Sequence, residues 1–175
     1  AGAELGFDQF LRRDGLSYRL APVKNSNVNT NWMLDKLTNK FAFGNADKPG
    51  VYFDEENRRH LGSIRAAYAE LAIDLAAKNR KEEARAVLNK VDKMMHESNF
   101  GYGLTSRGNM HNKNSLLFLE ACYLAEDKIL IKKVGDAVKK DLLQQIEYYN
   151  KLPFVINLGF KKLYFRIDNM DDEKV

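Results

Sequence analysis

Cysteine and proline are scarce in this chain, and no run of apolar residues is long enough to cross a bilayer. The single cysteine, Cys122, excludes an intrachain disulfide framework. It lies in the apolar run Leu116 to Ala125, where a thiol reads as a small buried hydrophobe and not as a nucleophile. The three prolines, Pro22, Pro49 and Pro153, fall at the ends of patterned segments. Motifs that carry chemistry are missing too. His60, His96 and His111 have no paired spacing and no cysteine cluster beside them, so they read as surface or loop histidines and no zinc site is expected. Gly101-Tyr102-Gly103 with Gly108 lacks the spacing of a dinucleotide fingerprint. Asp168, Asp171 and Asp172 lack the glycine and distal glutamate of a calcium loop. No metal, cofactor or catalytic residue is therefore assigned. The N-terminus has no basic, apolar and cleavable signal, and it opens on Ala1-Gly2-Ala3 without methionine, which reads as a mature or excised piece.

Charge excludes less. The net charge of +4 and pI near 9.0 come from lysines and arginines that alternate with acids along nearly every segment, the pattern of a solvated surface. A basic nucleic-acid binder stays as an alternative, although no basic stripe is interleaved with aromatics. With 175 residues, 45% of them hydrophobic, the chain has the size of one domain with a substantial core.

What is present is helical periodicity. After Asp54, a capping residue, Leu61, Ile64, Tyr68, Leu71, Ala72 and Leu75 recur at spacings of three and four and form one apolar face. Arg58, Arg59, Arg65, Glu70 and Asp74 fall on the other face, the side expected to meet solvent. Asn79 stands where a left-handed residue is needed to reverse the chain. A second amphipathic pattern, Ala84, Val87, Leu88, Val91, Met94 and Met95, completes a helical hairpin.

The same signals organise the rest. Residues 1–53 read as an extended segment and a short helix: Leu16 to Ala21 alternates as a strand lying against the helices, and Thr30 caps a helix from Asn31 to about Phe41. Within it, Asn25 to Thr30 reads as a polar turn. The first hairpin occupies 54–96, and the Gly- and Asn-rich 97–114 reads as a loop. A second hairpin follows over 115–152, beginning with a helix so apolar all round that burial on most sides is expected. In 153–175, Phe154 to Ile167 reads as a strand pairing with Leu16 to Ala21, ahead of an acidic tail. The expected fold of the single domain 1–175 is thus mainly α, helical hairpins in a short alpha-solenoid with a small extended or β element from the termini.

One candidate binding face emerges. Arg58 and Arg65 are seven residues apart on a helix, beside Asn57 and the loop aromatics Phe100 and Tyr102, a set suited to an acidic peptide terminus or a glycan. The competing reading is structural, with both arginines paired to Glu55, Glu56 or the N-terminal segment.

Two resemblances sharpen these expectations. Asp54 to Met95 resembles a tetratricopeptide repeat through Leu61, Gly62, Tyr68, Ala69, Leu71, Ala72 and Ala84, though the closing proline is absent. Phe10 to Val23, with Phe43-Gly44-Asn45, Val51-Tyr52-Phe53-Asp54 and Asn57-Arg58-Arg59, is similar to the C-terminal soluble part of multi-span bacterial membrane proteins related to protein O-mannosyltransferases, common in Bacteroidetes. The resemblance implies a non-catalytic accessory domain on the periplasmic side of the inner membrane, binding a polypeptide acceptor, partner protein or glycan, while an upstream membrane region transfers sugar. An oligomerisation module is the other alternative.

Overall fold

The computed structural model describes residues 7–24 and 28–151. It is mainly helical with one small antiparallel sheet, as the periodicities require. The expected polar turn from Asn25, the strand Phe154 to Ile167 and the acidic tail lie partly or wholly outside the described residues.

Strands β1 (Leu11–Asp14) and β2 (Ser17–Leu20) pair with Leu11 opposite Leu20 and Asp14 opposite Ser17. Gly15 supplies the φ of 70° that the two-residue turn needs at its first position. A β-carbon at Gly15 would meet the Phe41 and Trp32 rings at 3.4 and 3.5 Å, so the turn is seated on aromatic side chains. The strand that lies against the helices is β1, whereas β2, the segment expected there, is exposed along its length. The reason is Arg13: its guanidinium is buried and donates to Glu70 Oε1 at 2.7 Å, Tyr18 Oη at 3.0 Å and the Ser63 carbonyl at 3.2 Å.

Helix α1 (Thr30–Asn39) buries Met33 and Leu37. Thr30 is inside the helix and not its cap, because its hydroxyl is used elsewhere, donating to Asp74 Oδ2 at 2.5 Å and accepting from Lys78. Helix α2 (Glu55–Ala77) begins as expected, with Asp54 Oδ1 accepting from the Asn57 amide at 2.8 Å. Helix α3 (Lys81–Met94) returns along it, burying Ala84, Val87, Leu88 and Val91.

The residues expected to form a loop from 97 to 114 contain structure. A single turn, α4 (Glu97–Phe100), and a 3-10 turn at Arg107–Asn109 precede α5, which starts at Met110 and runs to Leu124, five residues earlier than the apolar pattern suggests. Its first residues, His111, Asn112 and Ser115, are buried polar groups that periodicity of apolar residues does not register. Nor is α5 buried all round: Leu116, Tyr123 and Leu124 are exposed. Helix α6 (Lys128–Lys151) completes the second hairpin.

Both hairpins turn in the same way. Asn79 holds φ 61°, with its amide on the Ala76 carbonyl at 2.9 Å and the Arg80 amide on the Leu75 carbonyl at 2.8 Å. Glu126 holds φ 59°, with its amide on the Tyr123 carbonyl at 3.0 Å and the Asp127 amide on the Cys122 carbonyl at 3.0 Å. This pair of bonds is the Schellman termination. Helices α2 and α5 run side by side in one direction. A β-carbon at Gly62 would lie 3.3 Å from Asn114 near their starts, and Lys81 just past α2 ion-pairs with Glu126 just past α5. Tyr68 lies wholly buried at the centre, its hydroxyl donating to the Leu37 carbonyl at 2.5 Å.

Candidate functional site

Of the five residues singled out in the sequence, three come together. They do so in the interior. Arg65, expected on the solvent face of α2, is 2% exposed, and its guanidinium carbon lies 4.3 Å from the ring centroids of both Phe100 and Tyr102. Its Nη2 donates to the Phe100 carbonyl at 2.5 Å and its Nη1 to the Gly101 carbonyl at 3.1 Å. Neither Glu55 nor Glu56 is its partner. Helical spacing placed Arg65 outside because α3 alone was matched to α2, whereas the chain from Phe100 to Tyr102 and α5 cover a second side. Arg58 is half-buried and Asn57 exposed on the first turn, where both nitrogens of Asn57 donate to Asp54 Oδ1.

The clamp around Arg65 recruits groups that the sequence did not mark. Burial pulls the guanidinium down to about 10, opposed by Tyr102 and Asp92. The Tyr102 hydroxyl donates to Asp92 Oδ1 at 2.9 Å, and Lys133 reaches the same oxygen at 2.6 Å, so α3, α6 and the loop meet on one carboxylate. Burial, ahead of the charges, holds the Tyr102 phenol protonated well above the usual range. His111 stands edge-on to Phe100, with ring centroids 4.7 Å apart, and its Nε2 meets the Gly101 carbonyl at 2.8 Å. A carbonyl only accepts, so Nε2 carries a proton. Burial first, and Arg65 second, lower His111 to about 4. It is a core histidine and not the loop or surface group its sequence context suggests; His60 and His96 are exposed.

The rest of the loop is equally committed. Ser115 Oγ donates to the Tyr102 carbonyl at 2.7 Å, and the Leu104 amide to Asn112 Oδ1 at 3.3 Å. Asn112 and Gln145 both donate to Asp141 Oδ2, at 2.7 and 2.6 Å. Arg65 Nε alone in this clamp is buried without a hydrogen-bond partner; the other groups named bond to another part of the fold. The arrangement holds the loop; it has no nucleophile and base poised together. Cys122 is buried, its thiol pushed up to about 12 by burial, and is unreactive there.

An open concavity lies elsewhere. Between α1 and α3 is a groove of about 460 Å³ lined by the apolar Leu34, Ala86 and Val87 and by Asp35, Glu83 and Lys90, the last donating across it to the Thr38 carbonyl. Sequence periodicity treats α1 and α3 separately and offers no signal for the space between them. Among the described residues, no group of three or more His, Cys, Asp or Glu can hold a metal ion, and no helix is long and apolar enough to cross a membrane. Comparison with protein families, curated proteins and solved structures finds no match to this chain.

Proposed function

We infer that the chain is a non-catalytic interaction module built from two tetratricopeptide-like hairpins, taking a polypeptide segment of a partner in the groove between α1 and α3. The observation that carries this is the repeated turn: Asn79 and Glu126 close their hairpins with the same pair of bonds, and the two turns touch through Lys81 and Glu126. Hairpins stacked in register through parallel first helices are how helical repeats present extended surfaces. The groove combines apolar and charged lining residues and is within the size range of ligand clefts.

The accessory role beside a membrane glycosyltransferase-like protein, on the periplasmic side, rests on the resemblance of Phe10 to Val23 and its companion segments. Arg13, Asp14 and Gly15 in that stretch build and seat the sheet. Their role in this chain is structural.

Peptides selected from a random library on the immobilised chain test the groove. Ala86→Arg fills it from an exposed position and is expected to weaken the selected peptides at least about tenfold, with unchanged melting. Equal affinity removes the groove as the site. For the accessory role, the isolated chain should transfer no sugar, and its deletion from a longer parent protein should lower acceptor modification; unchanged modification removes that role.

A further inference from the structure

Strand β2 presents an open edge. The two-residue turn makes Asp14 and Ser17 a hydrogen-bonded pair, and such pairs alternate with non-bonded ones along an antiparallel ladder. The alternation runs through Arg12 and Arg19 to the Ala21 amide, which donates to the Phe10 carbonyl at 2.7 Å. The backbones of Arg13 and Tyr18, and of Leu11 and Leu20, therefore point away from each other. On the β1 side the outward Arg13 carbonyl is taken by the Asn29 amide at 3.0 Å, beside the bridge from Arg13 to Val28. Among the described residues, nothing bonds the outward amides and carbonyls of Tyr18 and Leu20. Leu16, Tyr18 and Leu20 are 51%, 57% and 59% exposed around them. An unpaired row of backbone groups flanked by apolar side chains is a template for a further strand, and β2 carries no proline or lysine to blunt it.

We propose that the occupant is β2 of a second copy of this chain, paired antiparallel about a two-fold axis at Tyr18. The order of residues selects this partner. Leu16-Ser17-Tyr18-Arg19-Leu20 has the same apolar pattern read in either direction, so a reversed copy sets Tyr18 opposite Tyr18 and Leu16 opposite Leu20. The two Tyr18 backbones then exchange their outward amide and carbonyl as a hydrogen-bonded pair across the axis. The Tyr18 hydroxyl stays with Arg13, because the pairing uses only the backbone and the open ring. Charge agrees. Arg19 falls opposite Ser17 of the second copy, and it is already matched by Asp14 of its own hairpin at 2.9 Å. An axis at Arg19 would instead face two like charges. Access agrees too: β1 is the strand seated on α2 through Arg13, so β2 stands clear of the helices. Strands this short bury little surface, so the dimer is weak and reversible. It does not rest on the peptide groove between α1 and α3, and the failure of either leaves the other standing.

Disulfide trapping in the full chain tests it, with Cys122 buried and silent. Ser17 and Arg19 of the second copy would form a non-hydrogen-bonded pair with Cα atoms about 4.5 Å apart, inside the range a disulfide spans. Each would lie about 7–8 Å from its own counterpart, outside that range. A mixture of Ser17→Cys and Arg19→Cys chains under mild oxidation should therefore give the mixed disulfide, and either variant alone should give little. Adding Leu20→Pro to both removes one outward amide without touching a bond of the hairpin. It should abolish the mixed product with helical dichroism unchanged. A disulfide in Arg19→Cys alone moves the axis and overturns the pairing. Equal yields in all three samples mean random collision, and no disulfide in any of them leaves the edge to a strand of a different protein; either result overturns the second copy as occupant.

Discussion

Arg65 and His111 donate to a single acceptor, the carbonyl oxygen of Gly101, at 3.1 and 2.8 Å. Helices α2 and α5 are therefore joined through the backbone of the segment between the two hairpins, and burial together with the neighbouring Arg65 cation disfavours the charged form of the imidazole at that join.

The cost of charging that ring sets a pH dependence. His111 lies against Arg65 of α2, the Phe100 ring and Asp141 of α6, and its folded value of about 4 lies below its ordinary 6.5. A lowered histidine favours the folded state while neutral, so its contribution is complete above about 6.5 and is lost as pH falls towards about 4, by at most about 3 kcal/mol. The melting temperature should fall over that window more steeply than in His111→Gln, which keeps a donor but does not titrate. Parallel slopes would count against a titrating His111.

Removing the cation tests the clamp itself. Arg65→Met keeps most of the bulk between Phe100 and Tyr102 but leaves the Phe100 carbonyl without its donor, a loss of about 1–3 kcal/mol. Denaturant titration should report it, and amides from 98 to 106 should exchange faster.

Gly103 is held by contact. A β-carbon there would stand 2.3 Å from the Ala137 carbonyl oxygen, and backbone on α6 cannot give way cheaply. Gly103→Ala should destabilise by about 1–3 kcal/mol, read as a lower thermal midpoint, whereas Gly44→Ala at an uncrowded position meets only the penalty of its φ of 57°.

The two hairpin turns respond to their left-handed residues. Asn79→Ala should cost about 1 kcal/mol, and Asn79→Gly should be near neutral. Glu126→Gly relieves a side chain unsuited to φ 59° but gives up the exposed ion pair with Lys81, so a change smaller than about 1 kcal/mol in either direction is expected from equilibrium unfolding.

Much of the helical architecture was readable. Asp54, Asn79 and the apolar spacing of α2 and α3 announced the first hairpin, because caps, reversals and amphipathic periods are local. The second hairpin was readable too, but not which residue reverses it, because glutamate seldom takes a positive φ. Arg65, His111 and Asn112 were misplaced for a common reason: each is a polar residue buried by a long-range partner, and local patterns score polarity as exposure. Of the candidate face, Arg65, Phe100 and Tyr102 meet in the interior while Asn57 and Arg58 stay on the first turn of α2, and neighbourhood in sequence does not tell an open face from a closed one.

Trp32 is the chain's only tryptophan, and it rests over Gly15 where the small sheet meets α1. The N-terminal hairpin therefore carries its own optical reporter. Detachment of the sheet alone would shift the tryptophan emission while far-ultraviolet dichroism of the helices stayed constant, giving a spectroscopic separation between docking of the hairpin and melting of the helical body.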